Sequence, residues 1–383
     1  INKMKINITK FTVTIIVFII VSFLSCANGL YKSNIDIKFS LSDKYKDLFY
    51  IGAAINEDII MGRDLQSENI VTSEFNSVTP ENSLKWMYVQ PSPNKFNFVA
   101  ADRYVELGIK NNMYIVGHAL VWHNQLADFM KNKISPDEFN KHVETHIDRV
   151  VSRYKERIDA WDVVNEAFNE DGSLRESIFK KQMGDNYIED VFKLAKKADP
   201  NADLIYNDYN LYKPAKRAGV LRMVKKLQNN GTKISAVGVQ AHWSLKFPSL
   251  NEIEQIILDI SDLDVDVIFT EIDITVLPNP WELVGAEVTQ NFDKFEGDPK
   301  MDPYPNGLPD EIEAQLAKRY QDIFKLFIKH QDKISRVTFW GVMDRHSWLN
   351  DWPIKGRTNY PLLFDRNYQP KSAFKMLSNL VDN

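Results

Sequence analysis

Eight short apolar or β-branched runs punctuate this chain, at residues 49–56, 75–79, 113–121, 160–164, 203–207, 236–240, 265–270 and 336–342, and stretches of helical character lie between and after them. Strand and helix alternating in this way impose parallel pairing, because each strand must return through a crossover to lie beside the last. Eight such units predict an α/β protein with a closed (β/α)8 TIM barrel rather than an open sheet. The competing fold, a doubly wound sheet, lacks support because no glycine-rich phosphate loop follows the first strand. The helices carry their own signals. Phe139, Val143, Ile147, Val150 and Tyr154 form one apolar stripe, and Ser135-Pro136-Asp137-Glu138 offers an N-cap with proline at the first helical position. Val220, Val224 and Leu227 form a second stripe stopped by Asn230-Gly231, and Ser249-Leu250-Asn251-Glu252 opens a third helix by the same capping logic. No Gly/Ser-rich or Pro-rich linker interrupts the body, so residues 43–383 are expected to be a single domain behind a lead-in at 27–42.

The lead-in follows a leader. Met4-Lys5 opens a basic stretch ending at Lys10, and an apolar run extends from Phe11 to Leu24. That run is shorter than a bilayer-spanning helix of about 20 residues, so 1–26 reads as an export signal, with Met4 as the start. The single cysteine, Cys26, closes it in Leu24-Ser25-Cys26-Ala27, which resembles a bacterial lipoprotein site where the cysteine becomes the lipid-bearing first residue. Ordinary cleavage after Ala27 is the other reading. The expectation is an exported protein, membrane-anchored through Cys26 or otherwise secreted or periplasmic, with no disulfide in the exported domain.

Composition removes several functions. The net charge is −5 and no long basic run follows the leader, which disfavours a nucleic-acid partner. His142 and His146 stand four apart with Glu144 between them, but the zinc-protease pattern places its Glu directly after the first His and needs a further ligand. The pair is expected to be a partly exposed helix flank, and no metal or organic cofactor is expected. No G-x-S-x-G nucleophile elbow occurs. Aromatic residues make up 12% of the chain, enough to leave rings for stacking on a ligand.

The strand-like runs end in unusual polar or aromatic residues: Asn56, Glu81-Asn82, His118 with Trp122, Asn165-Glu166, Asn207-Asp208, Gln240 and His242, Glu271 and Asp273, and Trp340. In a barrel these carboxyl ends converge on one mouth. Glu166 and Glu271 each close an apolar run, which predicts two partly desolvated carboxyl groups facing across a cleft. Such a pair is the minimal equipment for glycoside cleavage. Burial raises the pKa of the one that must hold a proton, and donors such as His242, backed by Asp273, keep the other ionised. Residues 277–308 are rich in Pro, Asn, Asp and Gly, and so long an excursion after the seventh strand is expected on the functional face.

Seven segments in this order resemble glycoside hydrolase family 10, the endo-β-1,4-xylanases: FNSVTPENSLKW (75–86), GHALVWHNQ (117–125), WDVVNEAF (161–168), YNDYN (206–210), GVQAHW (238–243), TEIDI (270–274) and TFWGVMDRHSWL (338–349). The resemblance covers about residues 43–379, without an accessory carbohydrate-binding module. It implies retaining hydrolysis of internal xylan bonds by double displacement, with Glu166 as acid/base, Glu271 as nucleophile and their carboxyl groups about 5–5.5 Å apart. It implies that Asn165 holds the 2-hydroxyl of the reacting sugar and that His242 and Asp273 orient Glu271. Glu81, Asn82, Lys85, His118 and Gln125 correspond to the set holding the non-reducing side of the chain, with Gln240 also against substrate. Trp122, Trp340 and Trp348 correspond to aromatic walls, and Asn207 and Tyr209 to the leaving-group side. Met343-Asp344-Arg345-His346 departs from the pattern, and its large Met and Arg leave the detailed shape of the wall between Trp340 and Trp348 undetermined by the resemblance. The partner implied is xylan or xylo-oligosaccharide. Two other readings share the cleft: the same mechanism on another β-1,4-glucan, and a surface glycan-binding protein without catalysis.

Overall fold

The computed structural model describes residues 40–280, 283 and 288–381. The leader and Cys26 lie outside the described residues, as does most of the 27–42 lead-in. Nine strands form the sheet: β1 (Tyr50–Ile55), β2 (Ser77–Pro80), β3 (Tyr114–Trp122), β4 (Ala160–Asn165), β5 (Asp203–Asp208), β6 (Ala236–Val239), β7 (His242–Ser244), β8 (Asp266–Thr275) and β9 (Ile334–Phe339). All pairings between them are parallel, in the order β6-β5-β4-β3-β2-β1-β9-β8, and a β6–β8 pairing closes the circle. Eight strands therefore make the barrel. The extra strand β7 is a short continuation after β6, set off at Ala241, whose φ of 65° breaks the ladder, and it pairs with the upper half of β8.

The eight expected strands are all present, with shifted ends. β9 begins before the expected residue 336 and stops at Phe339, because Gly341 at φ 128° turns the chain out of the sheet. β8 runs on past 270 to Thr275, since β7 supplies a partner for its second half.

The helical signals act as read. Phe139, Val143, Ile147, Val150 and Tyr154 are buried along the helix Pro136–Arg153, with the Ser135 side chain accepting from the Glu138 N–H at 3.2 Å. Ser249 and Glu252 cap the helix Leu250–Ser261 reciprocally, and Gly231, at φ 68°, follows the helix Pro214–Asn229. Burial of these stripes against the strands, at roughly 25 cal/mol per Å² of apolar surface, is what holds the helical layer on the barrel.

One expectation about the helix surface is corrected. His146 is not on an exposed flank: it is fully buried, its ring stacked on Trp86 at 3.7 Å between centroids and its Nδ1 3.0 Å from Gln90 Oε1. Burial lowers its pKa from 6.5 to about 3, so it serves as a neutral aromatic of the core. His142 alone remains at the flank, near Glu138.

Candidate active site

Strand register brings the site together. β3 and β4 pair with His118 opposite Asp162 and Trp122 opposite Asn165. The first pairing sets His118 Nδ1 2.8 Å from Asp162 Oδ2; the second lets Trp122 Nε1 donate to Glu166 Oε2 at 2.8 Å. β4 and β5 pair Asn165 with Asn207, and the Asn207 amide donates to Asn165 Oδ1 at 3.0 Å. β7 and β8 pair His242 with Asp273. Immediately after β4 the backbone enters the left-handed region at Glu166, φ 60°, where its N–H donates to the Asn207 carbonyl and its own carbonyl accepts from Arg175 Nε. A non-glycine residue held there costs on the order of 1 kcal/mol or more, and such strain concentrates at functional sites. Gln125 (φ 45°) and Ala241 (φ 65°) share it around the same mouth.

A cavity of about 150 Å³ opens there. Its walls include Glu166 and Glu271 together with Glu81, Asn82, Lys85, His118, Trp122, Gln125, Asn165, Gln240, His242, Trp340 and Trp348, thirteen of the residues expected from the sequence. The two carboxylates are joined by a short amide relay. Asn165 Nδ2 donates to Glu166 Oε1 at 3.2 Å, and Asn207 Nδ2 reaches both Asn165 Oδ1 and, at 2.7 Å, Glu271 Oε1. Gln240 Nε2 adds a 2.9 Å bond to Glu166 Oε1.

The two carboxyl groups, both buried, have opposite electrostatics. Burial pushes Glu166 up to about 7, and the charge of buried Asp208 adds to the effect, against donors from Gln240 and Trp122. Burial also works to raise Glu271, but the bond from His242, the charges of His118 and His242 and the Asn207 amide outweigh it, leaving the group below its ordinary 4.5. His242 Nε2 lies 3.3 Å from Glu271 Oε2, and its Nδ1 lies 3.0 Å from Asp273 Oδ1. The Asp273 contact is a charge pair rather than an aligned hydrogen bond, since neither atom finds a partner in bonding geometry. Burial alone would lower the pKa of His242; Asp273 and then Glu271 instead carry it to about 10, so the imidazolium persists through neutrality. One carboxyl group can thus hold a proton near neutrality while the other stays ionised, the division of labour that acid-assisted displacement at a glycosidic carbon requires.

Lys85 Nζ donates to Asn82 Oδ1 at 3.1 Å and Gln125 Oε1 at 2.8 Å, and sits 4.9 Å from the centre of the Trp122 ring. This polar shelf adjoins Glu81. Trp348 stacks on Trp352 (4.5 Å, 17°) and donates from Nε1 to Asp273 Oδ2 at 2.8 Å, which locks the indole against the site.

Two expectations are revised by placement. Asn207 does not face the leaving-group side: it is fully buried, its amide spent on Asn165 and Glu271 and its Oδ1 accepting from Thr270 Oγ1 at 2.7 Å. It orients the carboxylate, and Gly238 opposite it in the register leaves the necessary space, since a Cβ there would meet Asn207 Oδ1 at 2.4 Å. Tyr209 is likewise buried away from the cavity, its hydroxyl accepting from Arg175 and its ring under Lys216 Nζ at 3.6 Å. Met343, Asp344, Arg345 and His346 are not among the residues that line the cavity. Met343 and Asp344 are buried, Asp344 on Lys371, while Arg345 and His346 turn towards Asp64. The excursion after β8 does reach the functional face, where Val288 lines the cavity. It is tied down by bonds from Arg357 to the Pro278 carbonyl, from the Thr358 N–H to Asp302 and from the Tyr360 hydroxyl to the Tyr304 carbonyl.

Sequence reasoning missed Asp162, Thr270 and Trp352. Asp162 had a signal, a lone charge inside an apolar strand; Thr270 and Trp352 had none beyond their neighbours.

The glycosyl hydrolase family 10 model matches residues 40–380. Endo-1,4-beta-xylanase A of Xylanibacter ruminicola is 39% identical over 348 residues, covering 90% of this chain and 94% of that protein. Among solved structures, a GH10 endoxylanase from a sugarcane soil metagenome superposes with a TM-score of 0.83 at 44% identity, covering 90% of this chain and 99% of that one. A mutant structure in complex with xylotriose superposes at 0.77 with 34% identity, covering 89% and 99%. With its barrel, its paired carboxylates and a family match running from end to end of the described residues, this chain belongs to glycosyl hydrolase family 10.

Proposed function

We propose that this protein is an endo-β-1,4-xylanase that hydrolyses internal bonds of xylan with retention of anomeric configuration. The observation that carries this reading is the split between the two buried carboxyl groups of one cleft, Glu166 raised to about 7 and Glu271 held low, in a chain of this family. In the first step Glu166 protonates the leaving glycosidic oxygen as Glu271 Oε attacks the anomeric carbon, giving a covalent glycosyl-enzyme. In the second, Glu166, now ionised, takes a proton from water, which displaces Glu271 and restores the original configuration. Asn165 offers the amide for the 2-hydroxyl, where a hydrogen bond that strengthens in the transition state accelerates both steps. His242, charged and backed by Asp273, keeps Glu271 aimed and ionised. Glu81, Asn82, Lys85, His118, Gln125 and Gln240 hold the sugar hydroxyls, and Trp122, Trp340 and Trp348 wall the ring.

The proposal is tested by following xylan hydrolysis with time. The first product should be the β-anomer, released from internal positions, with far less release from carboxymethylcellulose; an initial α-anomer would overturn the double displacement. A glycan-binding protein without catalysis has no use for two ionisable groups at this depth. Xylose lacks the C5 hydroxymethyl group, so the indole of Trp348 can close on the reacting ring without a clash. Trp348→Ala should therefore lower the xyloside-to-glucoside ratio of kcat/KM by about 10-fold, the scale of a hydrophobic pocket discriminating one small group; an unchanged ratio would remove Trp348 from specificity.

The leader supports export, and Cys26 at its end supports lipid anchoring. Mass spectrometry of the mature N-terminus should find a lipidated Cys26, whereas a free Asn28 would exclude the anchor.

A further inference from the structure

The opposite mouth of the barrel holds a second pocket, of about 230 Å³, at the amino ends of the strands. Its floor is Ile205, Ala236 and Ile268, and the small alanine leaves room that a bulkier layer would fill. On one wall Arg336 points inward from β9. It is only 3% exposed, its Nε has no hydrogen-bond partner, and its charge acts on the Asp159 carboxylate without a salt bridge among the described residues. The face of Tyr114 lies 5.5 Å from its guanidinium carbon. Burying a guanidinium whose Nε lacks a partner costs stability, and a barrel core would be firmer with an apolar residue there. Beside it in register on β1, Tyr50, 44% exposed, lies against Tyr114 with centroids 4.9 Å apart, forming an aromatic ledge at the rim. Asp203 and Asp266 complete the rim.

We propose that this pocket is a second carbohydrate site, remote from the catalytic cleft, that takes one terminal neutral pyranose residue of a xylo-oligosaccharide. A sugar ring presents an apolar face to the tyrosines, hydroxyl oxygens to the Arg336 guanidinium and hydroxyl hydrogens to the aspartates. The two rim carboxylates disfavour an anion. Choice of sugar rests on the xylanase reading; the pocket itself does not.

The test uses the full chain carrying Glu271→Gln, which stops turnover, titrated calorimetrically with xylopentaose. Two binding events per chain are expected, falling to one when Arg336→Met or Tyr50→Ala is added. In the active background neither substitution should alter kcat/KM on a soluble aryl xylobioside. A single binding event in Glu271→Gln, or two events surviving both rim substitutions, would overturn the proposal. Tyr50→Ala alters an exposed ring and carries the test should Arg336→Met fold poorly. Failure of the xylanase reading would show separately, as wild-type protein that leaves xylan intact.

Discussion

Replacing Glu271 with alanine should lower kcat on xylan by about 10,000-fold or more, the scale of losing one member of a cooperating catalytic set. Folding should survive, because His242 keeps its charge pair with Asp273 and Asn207 keeps its bonds to Asn165 and Thr270. The stronger readout is chemical. A small anion such as azide, admitted to the space the side chain leaves, would attack the anomeric carbon from the face Glu271 now commands and give an α-glycosyl azide. Wild-type-like activity, or a β-product from azide, would place the nucleophile elsewhere.

Replacing Glu166 with glutamine should cost about 100- to 10,000-fold on xylan, the range for a positioned general acid. Aryl xylosides with acidic leaving groups should suffer less in the first step, since they depart without a proton. The pH profile supplies an independent check. In the wild type, kcat/KM should fall as pH rises through about 7, where Glu166 loses its proton, and should hold on the acid side until Glu271 is protonated below its ordinary 4.5. That basic limb should be absent in Glu166→Gln. A limb that stays at about 7 in the variant would assign it to another group.

Much of this was legible without coordinates, and the reason is locality. Whether residues 160–164 prefer an extended conformation, or Phe139 to Tyr154 line one side of a helix, depends on side chains close along the chain. Eight repetitions of strand and helix then leave few ways to close. A polar residue at the end of each strand needs only that closure to reach the mouth, which is why thirteen expected residues line one cavity.

Aim and partnership were not legible. Asn207 reads as a cleft residue because it ends a strand, yet the register of β5 against β4 and β6 turns it into the wall to brace Glu271. His146 reads as a flank when it is paired with His142, yet it adjoins the stripe of Val143, Ile147 and Val150, and Trp86, from another element, covers it. Met343 and Arg345 look intrusive between two tryptophans, but one is drawn into the core and the other to Asp64.

The chain's local pattern was thus sufficient for the barrel, the identity of the two acidic groups and the mouth on which they stand. Only the folded molecule could make one of them a proton holder and the other a persistent anion. Both ionise alike in water; they part company because Asp208 and burial act on Glu166, whereas His242, Asn207 and His118 converge on Glu271. Those neighbours come from strands distant in sequence, and electric fields depend on separation in space, not along the backbone.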